Sequence, residues 1–285
     1  MLGVTFEGGA NRTVFSCGVI DALIKNKITA DYIIGTSAGI AYSVTYASGQ
    51  YGRNYKIAKQ YISDKRYQGI RHFLNPENRS FYNLDFVFDE IPNKLVPFDY
   101  EKYKNFNGRT VAVVTNIETG KAEYLDVPRD DRKFMYLRAS CSLPLLFPVI
   151  EINGRKYLDG GIADSIPYEQ AMRSGCDKNI VVLTRERDYR KKPESTQKLI
   201  ALKYRKYPDF VKASFERPYK YNKCVEKLEE LEKQKKVFVI APETTMNVGR
   251  TESDSTKLTA LYKHGYDVAM KLMPDLKKYL GMQDG

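Results

Sequence analysis

The first 48 residues alternate short apolar runs with helical periodicity, and that rhythm constrains the fold more than any other feature of the chain. Leu2-Gly3-Val4-Thr5-Phe6 reads as a strand that runs into a loop of small residues, Glu7-Gly8-Gly9-Ala10-Asn11-Arg12. Val14, Cys17, Gly18, Ile20, Leu23 and Ile24 then recur at helical spacing. Tyr32-Ile33-Ile34 is a second apolar strand ending at a turn on Gly35, and Ala38 to Ala47 reads as a helix rich in small residues. Strand, loop, helix, strand, turn, helix is the order of a parallel sheet covered by helices. The expected class is therefore α/β, with a central mostly parallel sheet flanked by helices.

The remainder extends that pattern. Residues 109–116 form a strong buried strand, with an antiparallel partner near 121–125. Helices are expected over 131–140 and 165–174, and strands over 155–158, 179–184 and 237–240, before a closing helix over 254–280. Residues 63–108 carry turn signals and many aromatic rings and read as an irregular, partly helical insert over one face. At 285 residues the chain is long enough for one large domain, and 1–285 is expected to form a single one.

Lysine and arginine number 46 against 35 acidic residues, a net charge of +11. Such a surplus draws a protein toward nucleic acid or an anionic membrane. Base-reading motifs are absent, so nucleic acid is not an expected partner. A basic helical segment spans about 195–236, and within 200–223 Lys203, Arg205, Lys206, Lys212, Arg217, Lys220 and Lys223 alternate with Tyr204, Tyr207, Phe210, Phe215, Tyr219 and Tyr221. That mixture suits an anionic lipid surface, and equally a helical hairpin whose rings pack on the sheet. No basic stretch precedes an apolar one at the N-terminus, and no apolar run nears the roughly 20 residues that span a bilayer. Cys17, Cys141, Cys176 and Cys224 are scattered, and His72 and His264 are the sole histidines. A metal site, an organic cofactor and a disulfide framework are all unexpected. The expected location is cytoplasmic, at most peripheral to the inner membrane face, and no protein partner is legible.

Gly35-Thr36-Ser37-Ala38-Gly39 fits G-x-S-x-G with a strand before it and a helix after it. A sharp strand-to-helix turn pushes a serine oxygen out at the carboxyl edge of a sheet. The helix N-terminus favours negative charge developing there. A nucleophilic serine also needs a base and an oxyanion hole. The order Ser37, Asp159, His264 matches a Ser-His-Asp triad, but His264 lies within the closing helix rather than on a loop. Asp159, at a strand end before Gly160 and Gly161, is a candidate base in its place. A carboxylate is weaker than imidazole in water, and desolvation narrows the gap. Gly8, Gly9, Ala10, Asn11 and Arg12 offer backbone N–H groups at a helix N-terminus for the oxyanion.

Taken in order, four stretches resemble the patatin-like phospholipases of the bacterial cytosolic kind. They are the loop Gly8 to Arg12, the Ser37 turn, Ala139-Ser140-Cys141-Ser142-Leu143-Pro144-Leu145-Leu146-Phe147-Pro148, and Asp159-Gly160-Gly161. The resemblance covers residues 2 to about 185, with Leu261-Tyr262 and Gly265-Tyr266 similar to the family's C-terminal helix. It implies a three-layer α/β/α fold and hydrolysis of fatty-acyl esters, most naturally in phospholipids, without a cofactor. Ser37 would attack, Asp159 would take its proton, and the loop N–H groups would hold the oxyanion. The alternatives are a general carboxylesterase or thioesterase using the same pair, and a catalytically weak lipid-binding protein on the same fold. The family usually carries glycine where Ala10 stands, and often where Thr13 stands. A methyl group at Ala10 restricts the backbone, and one misplaced oxyanion donor costs about 10²–10³ in rate.

Overall fold

Strands buried on both faces must lie inside a sheet covered by helices, and the first two apolar runs do so. Four of the five residues of β1 (Leu2–Phe6) are buried, followed by a 3-10 turn at Ala10–Thr13 and α1 (Val14–Lys25). All five residues of β2 (Tyr32–Thr36) are buried before the chain turns into α2 (Ala38–Ala47) and then α3 (Arg53–Gln60). The structure, a computed structural model, describes residues 1–74 and 80–282. In the insert, a π-helix over Phe86–Leu95 contains Pro92, which cannot donate to the helical ladder, and α4 (Tyr100–Lys104) follows. The turn signals at 75–79 fall outside the described residues.

β3 (Arg109–Asn116) and β4 (Ala122–Asp126) form the expected antiparallel pair. The helix expected over 131–140 is only α5 (Met135–Ser140). The Asp131 carboxylate accepts the Lys133 and Met135 N–H groups, and Phe134 takes a left-handed φ of 50°, so the preceding residues form a turn. β5 (Ile150–Ile152) and β6 (Arg155–Asp159) form a hairpin, α6 (Tyr168–Arg173) starts only after Pro167, and β7 (Lys178–Val182) follows. The basic segment is two helices, α7 (Gln197–Lys203) and α8 (Pro208–Lys233), leading to β8 (Phe238–Ile240) and α9 (Ser255–Leu280). α9 crosses α1 closely at Gly18 and Gly265. A Cβ on Gly265 would stand 2.0 Å from the Phe15 carbonyl oxygen, and one on Gly18 2.1 Å from that of Tyr262.

The sheet is hydrogen-bonded in the order β5-β6-β3-β2-β1-β7-β8, with β4 also paired to β3. β3, β2, β1, β7 and β8 run parallel, while β4, β5 and β6 add antiparallel pairs. The register of β3 positions the site. Val111 to Val113 pair with both β2 and β4, and Val114 pairs with both Glu123 of β4 and Asp159 of β6. β2 and β6 therefore share one edge of β3, end to end. β2 stops at Thr36 beside Val113, and β6, running the other way, stops at Asp159 beside Val114. The residue after one strand end and the last residue of the other meet.

The rings of the basic segment divide. Tyr204, Phe210 and Tyr221 are buried, whereas Phe215 and Tyr219 are exposed. In the insert Tyr82, Leu84, Phe86, Phe88, Ile91 and Phe98 all face inward. Those side chains enclose apolar space, because burying such groups stabilises by roughly 25 cal/mol per Å² of apolar area.

Candidate active site

Ser37 has φ 55° and ψ −132°, a conformation that L-residues rarely adopt, on the turn between β2 and α2. Strain of this kind costs about 1–3 kcal/mol and persists only where neighbours enforce it. Two do so here. The Ser140 hydroxyl accepts the Ser37 N–H at 2.8 Å and donates to the Val113 carbonyl at 2.7 Å, tying the turn to β3. Gly39 lets α2 approach β1, since a Cβ there would stand 2.5 Å from the Phe6 carbonyl oxygen. Gly35 packs under the start of α2, and the Thr36 hydroxyl donates to the Asp164 carbonyl at 3.0 Å. Ala38 opens α2, so the unpaired N–H groups of its first turn lie next to Ser37.

Asp159 is 1 % exposed and Ser37 8 %. The Asp159 backbone is fixed by its N–H donating to the Ser142 carbonyl at 2.8 Å and by the Thr115 hydroxyl donating to its carbonyl at 2.9 Å. Its Oδ1 accepts the Gly161 N–H at 2.7 Å. Its Oδ2 is buried and has no well-formed hydrogen bond. Burial pushes the carboxyl pKa above the usual range, opposed by the neighbouring Ser37 hydroxyl, the Gly161 N–H, and the positive charge of Arg217 and Arg250. Gly160 lies against the Val113 carbonyl. The Cys141 thiol neighbours Ser37 but stays protonated, because burial and then Asp159 push its pKa up.

The Gly8–Arg12 loop lies against the Ser37 turn, where a Cβ on Gly8 would stand 2.8 Å from the Thr36 carbonyl oxygen. The Asn11 N–H is committed to the Arg250 carbonyl and the Arg12 N–H to that of Gly9. Among the described residues the N–H groups of Gly8, Gly9 and Ala10 have no acceptor in the protein. Ala10 holds a left-handed φ of 49°, so the loop keeps a glycine-like path despite the methyl group. The Asn11 amide donates to the Glu252 carbonyl at 2.7 Å, which ties the loop to the segment carrying Arg250.

Two cavities meet at Ser37. One spans about 900 Å³, including space open to solvent, and is lined by Ala38, Ala41, Val44, Leu84, Phe88, Ile91 and further apolar side chains, together with Asn11, Ser37 and Arg53. The other spans about 550 Å³ and is lined by Glu7, Gly8, Gly9, Ala10, Arg12, Asp159, Gly161, Arg185, Lys191, Arg217 and Arg250. Sequence reading did not find Arg185, Lys191 or Arg250, which lie on irregular segments with no motif of their own. It placed Arg217 on a surface stretch, whereas its side chain is only 14 % exposed and turns inward. His264 lies outside both cavities, where Nε2 accepts the Glu243 N–H at 3.1 Å and the ring packs on Phe15. His72 is likewise elsewhere, beside the Lys65 carbonyl. Among the described residues no group of three or more His, Cys, Asp or Glu is placed to hold a metal ion, and no helix is long and apolar enough to cross a membrane.

Residues 4–172 match the family model described as patatin-like phospholipase. The chain belongs to the patatin-like phospholipase family. That match takes in the Gly8–Arg12 loop, the Ser37 turn and the Asp159 loop. Residues 207–281, including the stretch from Leu261 to Tyr266, match a second model, a domain of unknown function. Among relatives, an uncharacterized protein of Escherichia coli K12, YjjU, is 24% identical over 186 residues, covering 64% of this chain and 52% of that protein. A lysophospholipase, NTE1, of Meyerozyma guilliermondii is 30% identical over 193 residues, covering 64% of this chain and 12% of that protein. The patatin-like chain thus aligns with about half of the first relative and a small part of the second. The crystal structure of VipD from Legionella pneumophila superposes with a TM-score of 0.49 at 13% identity, covering 96% of this chain and 66% of that one.

Proposed function

We propose that this protein is a serine lipid acyl hydrolase of phospholipase A type, with Ser37 as nucleophile and Asp159 as its base. One observation carries the reading. The strained Ser37 stands where an apolar cavity meets a charged one, beside the unpartnered Oδ2 of Asp159. The acyl chain would lie in the apolar cavity. Ser37 Oγ would bond to the ester carbonyl carbon while its proton passes to Asp159 Oδ2. The carbonyl oxygen, now an oxyanion, would be held by N–H groups of Gly8, Gly9 and Ala10. Collapse would break the bond to the leaving alcohol, which takes the proton back from Asp159. Water, deprotonated by Asp159, would then release the fatty acid from Ser37.

A raised Asp159 pKa brings the carboxyl closer to the pH at which a general base is effective. Relatives named lysophospholipase support a phospholipid substrate. The apolar lining of the cavity, with Val44, Leu84, Phe88 and Ile91, favours a long acyl chain over the short esters of a general carboxylesterase or thioesterase. The glycine-like φ of Ala10 supports working loop donors over a merely lipid-binding role. In this reading residues 1–285 act as one unit, because Arg217 and Arg250 reach the site from beyond residue 172. The exposed Leu199, Leu202, Phe215 and Tyr219 among the lysines of α7 and α8 would rest on an anionic membrane from the cytoplasmic side. The test is fatty-acid release from 1-palmitoyl lysophospholipid and from a butyryl ester, with wild type and Ser37→Ala. Preference for the long chain, lost with Ser37→Ala, is expected. Equal release by both proteins would overturn the reading.

A further inference from the structure

We infer that the charged cavity beside Ser37 is a leaving-group subsite for a phosphate that carries no compensating ammonium. The head group would be a glycerol phosphate type, not a choline type. The inference rests on the hydrolase reading, which sets the direction of the substrate. The base must protonate the leaving oxygen, so the alcohol belongs on the Asp159 side. That side is the charged cavity, and the acyl chain takes the apolar one.

The charges there are unbalanced. Arg12, Arg185, Lys191, Arg217 and Arg250 line the cavity with two carboxylates, Glu7 and Asp159. Glu194 adds a third, bridging Arg217 Nη1 at 3.0 Å and Arg250 Nη2 at 2.7 Å through one oxygen. Glu7 is already committed, accepting the Thr184 N–H at 2.6 Å and the Tyr221 hydroxyl at 2.8 Å. Among the described residues Arg12, Arg185 and Lys191 form no ion pair. Arg12 is 7 % exposed, and its Nε is buried without a partner, as is the Nε of Arg217. Lys191 stands over the Tyr221 ring, 4.5 Å from its centroid. Burial first, then the charge of Arg217 and Arg250, pushes its pKa down to about 7.

Like charges held this closely repel, and burial removes the water that would screen them. A phosphate supplies the missing negative charge and the acceptors that the unpartnered N–H groups lack, and arginine is suited to it in geometry. A quaternary ammonium on the same head group would meet those same cations and be disfavoured.

The experiment compares kcat/KM on 1-oleoyl lysophosphatidate and 1-oleoyl lysophosphatidylcholine, which share one acyl ester. Both are held below their critical micelle concentrations, so that attraction to a charged surface plays no part. Wild type is expected to prefer the phosphate monoester by tenfold or more, mainly through KM. Arg185→Gln, at a half-exposed side chain without an ion pair, should cut that ratio at least fivefold. Equal kcat/KM on the two lipids, or a ratio untouched by Arg185→Gln, would overturn the inference. So would a preference that appears only above the micelle threshold, since surface charge would then be its cause. Isothermal titration of Ser37→Ala with glycerol 3-phosphate tests the subsite without turnover. Binding that weakens with Arg185→Gln supports the subsite even if no lipid is cleaved, a result that would sink the hydrolase reading alone. Absence of binding by the folded protein counts against the subsite.

Discussion

The two cavities that meet at Ser37 are made in opposite ways. The apolar one is walled by α2, the insert and the segment around 134–147, and its side chains also belong to the main core. The packing of those side chains stabilises the fold. The charged one is assembled from the Gly8–Arg12 loop, the Asp159 loop, residues 184–191, α8 and Arg250. Its cations outnumber its carboxylates and disfavour one another. One wall therefore serves the folded state as well as the proposed acyl chain, the other serves the proposed phosphate, and Ser37 and Asp159 occupy the seam.

Removing either residue of the seam should have the largest effect. Ser37→Ala and Asp159→Asn are each expected to lower kcat by at least ~10³, with the double variant little worse than either, because the pair acts as one unit. Thermal unfolding distinguishes this from damage to the fold. A carboxyl whose folded pKa is raised weakens the folded state increasingly as pH rises from about 3.9 through that raised value. At pH 7 Asp159→Asn should therefore keep the wild-type Tm or exceed it. The same shift sets the acid limb of activity. kcat should fall as pH drops through the raised Asp159 pKa, and Asp159→Asn should abolish that limb.

The apolar wall should respond by chain length. Ala41→Leu fills space in that cavity, and the ratio of kcat/KM for palmitoyl over butyryl esters should fall about tenfold or more. A loss shared equally by both chains would mean that the acyl group does not lie there. The smallest effect is expected at Ala10. Ala10→Gly relieves about 1–2 kcal/mol of left-handed strain. Greater freedom in the unfolded chain offsets part of this, leaving a gain of a few tenths to about 1 kcal/mol in denaturant unfolding. A loss of stability would mean that the methyl group packs favourably.

The same contrast explains what was legible in the sequence. The apolar strands, the Ser37 turn and the Asp159 loop depend on local residue types, since a strand needs a run such as Tyr32-Ile33-Ile34 and a tight turn needs Gly35 and Gly39. The charged wall has no local signal. Arg185, Lys191 and Arg250 become neighbours only through β1 pairing with β7 and through the tie from Asn11 to the Arg250 segment. Periodicity assigned Arg217 to a helix but could not say which way it turns. Helix length was overread at 131–140 because the Asp131 side chain captures two N–H groups, a local competition that apolar spacing does not register.

The most direct test of the central claim is the rate of labelling by a fluorophosphonate, read with the mass of the modified peptide. The account predicts one adduct per chain, on Ser37, formed at least ~100-fold more slowly in Asp159→Asn. Labelling at another residue, no labelling of the folded protein, or an unchanged rate in Asp159→Asn would contradict it.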